Sequence, residues 1–61
     1  MSFYHRVQGL AATVISGSRY GESGWVVGRF LDEDNQLKGY DVVFPDMEND
    51  GLFYGPEELE F

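Results

Sequence analysis

A small all-β barrel of five antiparallel strands is the fold this sequence predicts, and three observations carry that expectation. Trp25 to Phe44 reads WVVGRFLDEDNQLKGYDVVF, two apolar, β-branched runs around an acidic polar turn, which is the pattern of a β-hairpin. Glycine- and acid-rich turn signals recur at short intervals through the 61 residues, and nothing between them carries the period of a long amphipathic helix. Ten aromatic residues supply large rings to a chain near the lower size at which a domain folds alone.

The elements follow in order. Met1 to Gln8 shows no clear period, so residues 1–8 are expected to form a flexible arm or a strand added to an oligomer, with the barrel spanning 9–61. Leu10 to Ile15 alternates as a first strand. Ser16 to Gly24 (SGSRYGESG) holds three glycines and three serines in nine residues and reads as a loop. Trp25 to Leu31 and Tyr40 to Phe44 are the hairpin strands, joined by Asp32 to Gly39. Pro45 removes a ladder donor and stops the second of them. Asp46 to Gly51 is an acidic loop and Leu52 to Tyr54 a short fourth strand. Gly55-Pro56-Glu57-Glu58-Leu59 suits a single 3₁₀ turn, and Glu60-Phe61 a last strand stub. The expected core is Leu10, Val14, Val27, Phe30, Tyr40, Val42, Phe44 and Leu59. The opposite phase of the second strand, with Trp25, Val27 and Leu31 inward, fits equally well because Val26 and Val27 are both apolar.

The formal net charge of −7 bears on partners. Binding a polyanion needs clustered Lys and Arg, and only Arg6, Arg19, Arg29 and Lys38 stand among eleven acids, so direct nucleic-acid binding is not expected. The acids keep a small domain soluble and suit a basic partner. No run approaches the ~20 apolar residues of a membrane-spanning helix and no charged-then-apolar leader is visible, which makes a cytoplasmic protein the expectation. Cysteine is absent, so no disulfide or thiolate compensates for a thin core, whereas self-association would.

Five short strands, a long first loop and a one-turn helix before the final strand resemble the Src-homology-3-like (SH3-like) barrel layout over Gly9 to Phe61. Gly21-Glu22-Ser23-Gly24-Trp25-Val26 is similar to the G-x-x-G-x-V stretch of KOW domains. The spacing is most similar to that of the small plasmid-type, trimethoprim-resistant dihydrofolate reductases. That resemblance runs through Gly9 to Phe30, Lys38-Gly39-Tyr40, and Tyr54 to Leu59-Glu60, with one extra residue in the hairpin turn. It implies a homotetramer whose pore holds folate and a nicotinamide cofactor against a Gln-Ile-Tyr strand and a nearby lysine. Only the tyrosine of that set is present, at Tyr54. Leu52 replaces the glutamine, Phe53 the isoleucine and Ser16 the lysine, so the hydrogen-bonding amide and the positive charge that would meet anionic ligands are missing. No reductase activity and no cofactor are therefore expected, and the resemblance is read as one of scaffold.

Trp25 opening a strand, Tyr40-Asp41-Val42-Val43-Phe44-Pro45-Asp46, and Glu58-Leu59 at the end also resemble Tudor-type domains, which hold methylated lysine or arginine in an aromatic cage beside an acid. Tyr20, Trp25, Tyr40 and Phe44 with Asp46 are the candidate cage members. Tyr40 and Phe44 also alternate with Val42 on one face, which fits the core as well. Asp46 to Glu57 has the acid spacing of an EF-hand loop, but Glu48 stands at the third position, Pro56 precedes the final acid and no helices flank it, so a solvated turn is expected and no metal. His5 is the single histidine, which leaves no nucleophilic or acid–base constellation.

The expected function is a non-catalytic, self-associating interaction module that binds a protein or basic peptide through Tyr20, Trp25, Asp46 and Tyr54. The alternative is a small-molecule-binding or reductase-like homo-oligomer with a pore lined by Leu52, Phe53 and Tyr54.

Overall fold

A computed structural model describes residues 3–46 and 51–61. It is all-β: β1 (Phe3–Val14), β2 (Ser23–Leu31), β3 (Leu37–Val43), β4 (Leu52–Tyr54), a 3₁₀ turn at Pro56–Glu58, and β5 (Leu59–Glu60). The strands form one antiparallel sheet in the order β4-β3-β2-β1-β5, curled into a half-barrel and compatible with the SH3-like layout.

The first strand starts seven residues before the expected Leu10. Phe3, Tyr4, His5 and Arg6 pair with Leu31, Phe30, Arg29 and Gly28, so the segment read as an arm is the front half of β1. Its period was hidden by a bulge: between Arg6 and Leu10 four steps of β1 face two of β2, which breaks the alternation that marks a strand. Met1 and Ser2 lie outside the described residues. The hairpin turn is tighter than Asp32 to Gly39. Asp32 Oδ1 accepts the N–H groups of Asp34 (2.9 Å) and Gln36 (3.0 Å), and Asn35 adopts φ 65°, so β3 begins at Leu37. Aspartate and asparagine suit this role because a short polar side chain bonds the nearby backbone and tolerates the left-handed region.

The buried hydrophobic residues are Ala12, Val14, Val26, Leu31, Val42, Phe44, Tyr54 and Leu59. Val14, Val42, Phe44 and Leu59 were expected there, and burying each such side chain contributes about 1.5–3 kcal/mol relative to exposure. Tyr40 packs against this core only in part. Leu10 does not belong to it. It shares the phase of Ala12 and Val14 but is 56% exposed, because β5 reaches only Thr13 and Val14 and leaves the rest of β1 uncovered.

Neither expected phase of β2 holds. Gly24 and Val26 face inward while Trp25 lies out and Val27 is half-buried, and a register shift after Val26 leaves Gly28 buried under the Tyr4 ring. A register shift between Phe30 and Leu31 then turns Leu31 inward. Phe30 instead joins an outer aromatic row, edge-on to Tyr4 (centroids 5.0 Å apart, 62°) and tilted against Phe53 (5.5 Å). The Tyr4 ring lies over Gly28 and the Phe53 ring over Gly39, where a Cβ would collide with them. Tyr4 Oη donates to Asp41 Oδ2 at 2.9 Å, which ties the front of β1 to β3 across β2.

Candidate functional site

The loop between β1 and β2 organises most of the polar geometry. Its backbone turns through Gly17 (φ 86°), Arg19 (φ 64°) and Gly21 (φ 86°). It closes on itself through Gly21 N–H to the Val14 carbonyl (2.8 Å) and Val14 N–H to the Glu22 carbonyl (2.9 Å). That path throws the Arg19 side chain back over the barrel. Its guanidinium carbon sits 4.6 Å from the centre of the Phe44 ring. Nη1 and Nη2 donate to Asp46 Oδ1 and Oδ2 at 3.0 and 3.1 Å, and Nη1 also donates to Glu22 Oε1 at 2.9 Å. Planar guanidinium against carboxylate is the strong two-bond form of an ion pair. The hydrogen bond from Arg19 holds the Asp46 carboxyl below the usual carboxylate range, and the same bond raises the pKa of the arginine.

Phe44 and Asp46 thus combine aromatic face and acid as a cation site requires, and the cation they hold is the chain's own Arg19. The sequence offers both as candidate cage members, with Phe44 also an expected core residue, and it is buried there; that Arg19 occupies the pair was not read from the sequence. The signal for it was a lone arginine between two glycines in a loop otherwise free of basic residues.

Tyr20, next to Arg19, is 73% exposed. Trp25 is 52% exposed on the outer face of β2, paired with Ala11 of β1 and Val43 of β3. Asp46 lies under Arg19, three residues beyond β3. Tyr54 is buried, set edge-on to Phe44 (6.0 Å, 71°), and its hydroxyl donates to the Ser18 carbonyl at 3.0 Å. Burial pushes the Tyr54 hydroxyl pKa up. The first loop therefore gathers Tyr20, Asp46 and Tyr54, while Trp25 stands on the opposite side of β2 from Gly24 and Val26. Tyr40 lies edge-on to Phe61 (5.3 Å, 87°), away from the Arg19 cluster.

An open cleft of about 250 Å³ runs beside β4, lined by Ser18, Leu52, Phe53, Tyr54 and Glu58. The three residues assigned to a pore line it in the single chain. Glu58 is fixed at its rim, Oε1 accepting the Gly55 N–H at 2.7 Å while its own N–H bonds the Gly55 carbonyl at 3.0 Å. Of the acidic loop proposed as a metal-ligand run, Met47 to Asp50 lie outside the described residues. Among the described residues no cluster of His, Asp and Glu is set to hold a metal ion, and no helix is long and apolar enough to cross a membrane.

The geometry defines a small all-β half-barrel with an arginine-filled aromatic–acid site. Comparison with known proteins finds no matching family model, no similar characterised sequence and no similar solved structure, so neither the reductase nor the Tudor and KOW resemblances gain support from it.

Proposed function

We propose that this chain is a non-catalytic interaction module of the cytoplasm that binds a protein or basic peptide and associates with itself. The observation that carries the reading is the exposure of Tyr20 and Trp25 on a chain of net charge −7. Large rings held in water beside an excess of acids offer a basic segment both cation–π and ionic attraction. Because Arg19 already fills Phe44 and Asp46, the partner's cation meets the rings of Tyr20 and Trp25 and the general acidic field. Nothing in this role requires a cofactor.

An NMR titration with arginine- and lysine-rich peptides, methylated and unmethylated, tests it. Shifts concentrated at Tyr20 and Trp25 that fade with added salt are the expected result, and their absence at millimolar peptide overturns the reading. The cleft beside β4 favours the second reading, a small-molecule-binding or reductase-like oligomer. Shifts confined to Leu52, Phe53 and Tyr54 on adding dihydrofolate or NADPH would select it.

A further inference from the structure

We infer that the free edge of β1, from Phe3 to Ala12, is the surface through which two copies of this chain associate, strand against antiparallel strand. β1 is twelve residues long, yet β5 pairs with it only at Thr13 and Val14. On that side the stretch from Phe3 to Ala12 has no backbone partner among the described residues. An edge of this length presents a row of open donors and acceptors. Folded proteins shorten such edges, load them with charge or cover them. Here the bulge between Arg6 and Leu10 bends the edge, and Arg6 is the single formal charge along it.

Charge distribution selects the occupant. All eleven acids lie at or beyond Glu22, and residues 1–21 contain none. Two chains that each carry −7 repel, and first strand against first strand is the approach that brings the acid-free stretch of each copy together. No residue of the stretch is itself acidic, and the carboxylates that border it are Asp41, which accepts from Tyr4 Oη, and Glu60, opposite Thr13. Phe3, Tyr4 and Leu10, each roughly half-exposed, would be partly covered by the second strand. The opposite edge of the sheet, β4, offers three residues beside Glu58. Pairing β1 to β4 of the next copy would leave an open edge at each end and propagate, whereas a twofold β1–β1 pairing closes.

The inference rests on the self-association half of the proposed function and is tested apart from peptide binding. Sedimentation of the intact chain from micromolar to millimolar concentration should show a monomer–dimer equilibrium. Hydrogen exchange over the same range should show alternate amides between Phe3 and Ala12 gaining protection as dimer forms. Leu10→Lys replaces an exposed side chain, and the twofold would present the new charge twice, so association should weaken about tenfold with an unchanged melting curve. A dimer whose β1 amides exchange at the monomer rate would overturn the inference and leave self-association standing. A monomer at every concentration would overturn both.

Discussion

Replacing Gly24 by alanine is the sharpest probe of how this half-barrel is packed. A Cβ on Gly24 would stand 2.7 Å from the Val43 carbonyl oxygen, 2.9 Å from Phe44 Cδ1 and 3.0 Å from Val42 Cγ1. All three neighbours are held in place. Phe44 and Val42 are among the most deeply buried side chains, and Val43 sits in the β2–β3 ladder opposite Trp25. Relief therefore requires moving backbone or core, an overpacking cost of about 1–3 kcal/mol. Alanine returns about 0.4–1 kcal/mol by restricting the unfolded chain. At the middle of both ranges the net loss is about 1.3 kcal/mol, which in a domain this small lowers Tm by roughly 5–10 °C. Gly9→Ala is the internal control, since its nearest neighbours would be Trp25 Cβ at 3.8 Å and the Val26 carbonyl at 4.0 Å, ordinary contacts. Circular dichroism melts of both variants at matched concentration read the difference. The packing argument fails if Gly24→Ala melts at or above the wild-type temperature, or if Gly9→Ala falls as far.

The remaining expectations concern charge and hydrogen bonds. The Asp46 pKa is lowered by Arg19, so the pair's contribution is present above the ordinary aspartate range and disappears as pH falls through the folded-state value. Arg19→Ala should flatten that acid limb of a stability–pH profile, and an unchanged limb would separate the pair from stability. Tyr4 and Tyr54 are both shifted upward, Tyr4 chiefly by its bond to Asp41 and Tyr54 by burial, so stability present below the ordinary tyrosine pKa should fall as pH rises through the folded values. Spectrophotometric titration of Tyr54→Phe should show one late-ionising tyrosine fewer. That variant should also lose about 0.5–1.5 kcal/mol, because its bond to the Ser18 carbonyl goes. Gly28→Ala would drive the Tyr4 ring off β2, and an NMR spectrum in which Tyr4 keeps its contact with Phe30 would contradict the described stacking.

The central hairpin and the end of the chain were legible because each carries a local signal: β-branched runs, an Asp–Asn turn, and Pro56 opening a 3₁₀ turn. The front of β1 was not. Strand identity there depends on pairing with Gly28 to Leu31, and the bulge removes the alternation a single sequence can display. Phase in β2 failed for a related reason. With valine at both 26 and 27, inward direction is decided by neighbours, namely the space Gly24 leaves for Val42 and Phe44 and the rings laid over Gly28 and Gly39. Of the site, residue types were readable and company was not. Tyr20 and Trp25 are exposed, yet Asp46 and Phe44 answer to Arg19, a tertiary contact across 27 positions for the Asp46 ion pair.

The arginine clamp has an implication for variation at these positions. Arg19 serves two carboxylates and one ring at once, so its loss would strand Glu22 and Asp46 as neighbouring like charges and uncover Phe44. Positions 19, 22, 44 and 46 are therefore physically coupled. A diverged copy of this chain that gives up the arginine should also have given up at least one of the acids, and a copy that keeps both acids should place another cation within reach of the ring.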